Sequence, residues 1–161
     1  MKSVDELVRI WFSSVGRNSK LLLNVPPNRD GLLSAPDVQR LREFRTARDA
    51  LFAGEVPSLD WAWREMSGPR LEGAAILPRP TPIDVIRLGE AIENGQQVAR
   101  YRVEGETAGS AWRVLASGQT IGYCKLDRFD SPVAVSRLRV IIEEIVDDVP
   151  TVNVRLFAAA T

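Results

Sequence analysis

Five residues, Leu21-Leu22-Leu23-Asn24-Val25, constrain this chain more than any others. The run is apolar without polar alternation, which is the pattern of a strand covered on both faces, as in a parallel sheet between helices. A strand of that kind needs partner strands along its edges. On both sides, however, the sequence reads as helix.

Upstream, Val4, Leu7, Val8, Trp11 and Val15 fall at helical spacing, with Ile10 and Phe12 widening the stripe. Ser3 and Glu6 are placed as a capping box and Gly16 as the stop, so a helix is predicted over 4–15. Trp11, an aromatic on the apolar face, is predicted to be core rather than a sugar platform. Downstream, Pro26-Pro27-Asn28-Arg29-Asp30-Gly31 is a turn-rich loop. A second helix follows, capped by Ser34 with Pro36 and Asp37 in its first turn. Val38, Leu41, Phe44, Ala47, Leu51 and Phe52 supply its buried face, and Arg40, Arg42, Glu43, Arg45 and Arg48 a solvated face with local ion pairs.

From residue 53 to 81 the period is lost, broken by Gly54, Pro57, Gly68, Pro69, Gly73, Pro78 and Pro80, so this part reads as a linker. Trp61 and Trp63 sit in it, two apart. On a strand they would share a face, and packing under the following sheet is expected. From 82 onward, strands are predicted at 83–88, 97–103, 112–116, 120–125, 138–142 and 152–157, with hairpin turns at Gly105 to Gly109 and at Ser117-Gly118. The predicted fold class is α+β: residues 1–52 as one helix-strand-helix unit of a β/α barrel, 53–81 as a linker, and 82–161 as an antiparallel β-sandwich.

Composition narrows the chemistry. Lys plus Arg equals Asp plus Glu at 21 each, so no net field favours a nucleic acid or an anionic membrane as partner. No apolar run approaches the ~18 residues of a membrane span, and Met1 to Val15 lacks the apolar core of a signal peptide. The single cysteine, Cys124, permits no internal disulfide and reads as a small apolar strand residue. The absence of histidine removes Ser-His-Asp and Cys-His arrangements and the commonest metal ligand, which leaves carboxylate chemistry best placed. No metal or cofactor is implied.

Two segments carry a family resemblance. Ser14-Val15-Gly16-Arg17-Asn18, then Leu21-Leu22-Leu23-Asn24-Val25-Pro26-Pro27 and Arg29-Asp30-Gly31-Leu32, resembles the end of the catalytic barrel in α-L-fucosidases of glycoside hydrolase family 29. Ala116-Ser117-Gly118-Gln119-Thr120-Ile121-Gly122-Tyr123, with Lys125-Leu126 and Arg128-Phe129, resembles the C-terminal sandwich of the same enzymes, a galactose-binding-like fold. Glu90-Ala91-Ile92, Gly95-Gln96, Val98 and Trp112-Arg113 fit that domain too. The two segments occur in the family's order.

The resemblance implies a retaining exo-glycosidase acting on fucosylated glycans, whose nucleophile and acid/base carboxyls stand roughly 5 Å apart. In the family both precede the Leu-Leu-Leu-Asn strand, so no catalytic residue is assigned to this chain, which is expected to be inactive alone. Asp30 lies on the strand's C-terminal side, where barrel sites form, yet Asp30-Gly31 reads as a turn pair. Glu104 with Glu106, Glu143 with Glu144, and Asp147 with Asp148 are expected to be solvated at strand ends. By the resemblance, Leu21 or Leu23 points toward the sugar methyl and Asn24 toward the rim; these are the substrate-binding candidates. Residues 53–81 are short for the strands the family places there, so the chain is expected to be a partial gene product. Family members are often secreted, periplasmic or lysosomal. The alternative is a glycan-binding or structural sandwich module that complements a separate catalytic chain. In either case the unpaired strand is an expected association surface.

Overall fold

The computed structural model describes residues 1–93, 95–107 and 111–159. The first helix, α1 (Val4–Ser14), begins with the expected capping box, in which Ser3 and Glu6 bond reciprocally. Gly16 serves close approach rather than a left-handed stop. A Cβ there would lie 2.6 Å from the Phe12 carbonyl oxygen and 2.8 Å from the Leu126 Cβ. The second helix, α2 (Ala35–Ala53), starts at Ser34, whose hydroxyl donates to the Asp37 carboxylate at 2.7 Å. Leu7, Val8 and Phe44 form the apolar seam between the helices, with Trp11, Ala47 and Leu51 packed around it. The outer face of α2 carries the expected ion pairs, Arg40 with Glu43 and Arg45 with Asp49.

Leu21 to Val25 is not a strand here. It runs between the helices without joining any ladder. The reason is the one its composition suggests: the strands such a segment needs are not among the described residues.

All strands form one hydrogen-bonded antiparallel sheet that folds over a single core: β1 (Ala62–Glu65), β2 (Leu71–Glu90), β3 (Val98–Glu106), β4 (Trp112–Gln119), β5 (Lys125–Ile145) and β6 (Val152–Ala158). The order is β1-β2-β5-β3-β4, and β6 pairs with the far half of β2. The first half of β2 pairs with β1 and with the second half of β5, while the second half of β2 lies between β6 and the first half of β5. The long pair therefore belongs to two layers. Its bend falls where the register breaks between Ile76 and Thr81, a stretch containing Pro78 and Pro80, which have no N–H to offer a ladder. Leu77, Ile83, Ile86, Leu88, Tyr101, Val103, Leu138, Val140, Ile142 and Leu156 fill the space between the layers.

Further expectations change. Residues 62–65 and 71–81, read as period-free, are strand. Gly73 allows this, because a Cβ there would meet the Trp63 ring at 2.7 Å; the indole lies directly over it. Ser117 and Gly118 lie inside β4, and the chain reverses instead at 120–124, which was expected to be strand. Part of the proposed turn at Gly105 to Gly109 lies outside the described residues; Gly105 itself is in β3. Trp61 and Trp63 pack on the core as expected, with their rings 6.2 Å apart. The helices sit on the outer side of the β6 layer, where Phe52 meets Phe157 edge to face at 4.9 Å. No described helix is long and apolar enough to cross a membrane.

Candidate functional site

The two sequence segments singled out above meet in space. Gly16-Arg17-Asn18 leads from α1 directly onto the 120–124 reversal. Asn18 adopts a left-handed backbone, φ 65°. Its side-chain amide donates to the Ile121 carbonyl at 2.9 Å and its side-chain oxygen accepts from the Cys124 N–H at 2.8 Å. The backbone adds a third bond, Asn18 N–H to Cys124 O, at 3.2 Å. Gly122 must be glycine for two reasons: its φ is 61°, and a Cβ would lie 2.6 Å from the Asn18 amide.

Behind the reversal stands Glu90, 4% exposed. One carboxylate oxygen accepts from the Gly122 N–H at 2.6 Å, and the other from the N–H groups of Gln97 at 2.9 Å and Val98 at 3.0 Å. A buried carboxylate is tolerable only when its lone pairs are matched in this way. Arg17 adds a second tie. It donates to the carbonyls of Gly16 and Leu126 and pairs with Asp127 at 3.1 Å. The other oxygen of Asp127 accepts the Tyr101 hydroxyl proton at 2.5 Å. Burial, then the Asp127 charge, raises the Tyr101 pKa far above the phenol range. The Lys125 ammonium lies 5.5 Å from the Tyr101 ring centre and donates to the Gln119 carbonyl. Burial, then Arg17, lowers its pKa. This junction holds a segment; its polar groups are spent on one another.

The segment held is Lys20 to Val25. Leu21 and Leu23 are half-buried against the Leu7, Val8 and Phe44 cluster. Leu22 is 94% exposed and Asn24 is also exposed, on the opposite, open side. The structure thus groups Leu21 with Leu23 and separates Asn24 from both. Asp30 belongs to a turn organised by Asn28, whose side-chain oxygen accepts from the N–H groups of Asp30 and Leu32. Gly31 follows at φ 77°.

The buried and half-buried carboxylates are engaged. Glu104, expected to be solvated, is 7% exposed beneath Arg102 and Arg139. Burial acts to raise its pKa, but those two guanidinium groups outweigh it and hold the carboxyl below its ordinary range. Glu143 pairs with Arg102 and Glu72 with Arg64, and the exposed Glu55 pairs with Arg155. Among the described residues no group of three or more His, Cys, Asp or Glu side chains is arranged for a metal ion. Sequence reasoning cited Asn18, Gly122 and Glu90 without a role for them. Their signal, a left-handed asparagine against a left-handed glycine, exists only once the chain is folded.

No family model matches the chain. A putative α-L-fucosidase 1 of rice, Oryza sativa subsp. japonica, is 32% identical over 156 residues, covering 80% of this chain and 30% of that protein. The crystal structure of SpGH29 superposes with a TM-score of 0.88 and 32% identity over 99% of this chain and 40% of the other. A putative α-L-fucosidase from Bacteroides ovatus superposes with a TM-score of 0.83 and 34% identity, covering 99% of this chain and 27% of its own. The chain spans about a third of the length of its curated relatives, between 30% and 34%. Matched over 80–99% of its length by these proteins, the chain corresponds to the C-terminal part of the α-L-fucosidases of glycoside hydrolase family 29.

Proposed function

We propose that this chain works as the C-terminal part of an α-L-fucosidase-type retaining glycoside hydrolase acting on fucosylated glycans, and that by itself it does not hydrolyse fucosides. The observation that carries this is coverage: 99% of the chain is matched by only 40% of SpGH29. Retention requires a nucleophile and an acid/base carboxyl roughly 5 Å apart around one sugar. The carboxylates buried here, Glu72, Glu90 and Glu104, face backbone amides or guanidinium groups instead. On this reading the chain's contribution is architectural. Leu21 and Leu23 brace the segment against the helices, and Asn24, on the open side, offers a polar contact at the rim of the fucose site. The segment's free edges and Leu22 are where the rest of a β/α barrel joins it.

The test is hydrolysis of an aryl α-L-fucoside. The chain alone is expected to show none. Co-expression with a relative's upstream barrel portion, cut before the position matching Ser3, is expected to restore it. Turnover by the chain alone that co-purifies with the folded protein would overturn the inactivity. Failure of a co-purifying pair to turn over substrate would overturn the architectural role.

A further inference from the structure

Remote from the junction, the outer face of the other layer holds a cleft of about 690 Å³. We propose that this cleft binds one unit of a neutral oligosaccharide. The inference uses neither the family resemblance nor hydrolysis.

The cleft follows from the cross-strand register. Ala62 of β1 pairs with Ala74 of β2, which pairs with Arg139 of β5. Two alanines side by side leave a depression. One flank is Arg64 and Glu72, neighbours across β1 and β2, with the Arg64 guanidinium donating to one Glu72 oxygen at 2.9 and 2.6 Å. The other flank is a row running from Ile76 through Arg137 and Glu106 to Trp112. Ile76 is 69% exposed. The Arg139 guanidinium carbon lies 4.2 Å from the Trp112 ring centre and that of Arg137 at 5.7 Å, so cation–π contacts hold the indole in place.

A sugar ring has an apolar C–H face and a rim of hydroxyls, and this cleft offers a complement to each. Ala62, Ala74, Ile76 and the indole make an apolar floor and wall. The guanidinium and carboxylate groups present planar donors and acceptors at the edges, suited to adjacent hydroxyls. Charge selects a neutral ligand. Arg64 is neutralised by Glu72, Arg137 by Glu106 at 3.4 Å, and Arg139 by Glu104. An anion entering the cleft would therefore meet carboxylates as readily as cations. The arginines are held by these pairs and by Trp112, so little ordering remains to oppose binding.

The test is affinity electrophoresis of the purified chain in native gels cast with galactomannan, dextran or heparin. Retardation is expected in at least one neutral polymer, undiminished by salt. Trp112→Ala and Arg64→Ala are each expected to weaken it about tenfold or more, the scale of losing an anchoring contact. Ala74→Leu, which fills the floor, is expected to abolish it. Arg64 lies on the edge strand β1 and is 69% exposed, and circular dichroism of its variant checks that the fold survives the loss of the Glu72 partner. Mobility unaffected by both neutral polymers overturns the proposal, as does retardation by heparin alone or retardation unchanged in Arg64→Ala and Ala74→Leu. Because the readout is binding, a failure here leaves the fucosidase assay untouched, and the converse holds.

Discussion

Replacing Asn18 by alanine tests how firmly the helical unit is tied to the sheet. The substitution removes two side-chain hydrogen bonds, to the Ile121 carbonyl at 2.9 Å and from the Cys124 N–H at 2.8 Å. Each such bond is worth about 0.5–1.5 kcal/mol net. Alanine must also hold φ near 65°, where a Cβ costs roughly 1 kcal/mol that asparagine largely escapes. The expected loss is about 2–4 kcal/mol. At roughly 2–4 °C per kcal/mol for a chain of this size, the melting temperature should fall by about 5–15 °C. Asn18→Gly separates the two contributions, because glycine accepts the left-handed backbone and loses only the bonds. Thermal unfolding followed by circular dichroism, with urea titration for free energies, should therefore rank wild type above Asn18→Gly and Asn18→Gly above Asn18→Ala. An Asn18→Ala variant melting within about 1 °C of wild type would refute the reasoning. So would a reversed order of the two variants, which would mean the backbone conformation carries no cost.

Glu90→Gln leaves one carboxamide oxygen to serve three backbone N–H groups and turns an NH₂ toward at least one of them. A loss of about 3 kcal/mol is expected, with accelerated hydrogen exchange at Gly122 and Val98 as the local readout. Glu104, held below its ordinary value of 4.5, contributes stability that is fully present above pH 4.5 and is lost as pH falls through the lower folded-state value. Glu104→Gln should flatten that acid limb in a plot of melting temperature against pH; an unchanged limb would contradict the assignment. Leu22, 94% exposed beside free backbone edges, should drive association of the isolated chain. Light scattering should show larger species in wild type and fewer in Leu22→Lys, and a monodisperse wild type at high concentration would count against this.

Much of the fold is written locally. Ser3 with Glu6 and Ser34 with Asp37 announce both helices, and the apolar runs around Ile83, Val103, Val140 and Leu156 announce the core strands. What stays hidden depends on partners distant in sequence. The first half of β2 looks like linker because Gly73, Pro78 and Pro80 are poor strand residues alone. Gly73 is there to admit the Trp63 ring, and the prolines fall where the ladder lapses. The reversal at 120–124 includes Thr120 at φ 52°, a conformation β-branched residues avoid. Asn18 and Glu90 impose it, from 104 and 32 positions away in sequence, counting to Gly122. Leu21 to Val25 misleads in the opposite sense. Its composition predicts a strand covered on both faces, but a strand exists only where another strand accepts its bonds, and here Leu22 stands 94% exposed.

Because β2 and β5 each run through both layers, neither layer can be completed while the other is missing. Leu71 finds its partner at Ile142 and Glu90 at Val152, so both ends of β2 wait for the last quarter of the chain. Pairings over such separations make for slow, late assembly. During synthesis α1 and α2 emerge well before the sheet that Asn18 must grip. The clasp therefore closes near the end of folding and reports that the whole sheet has formed.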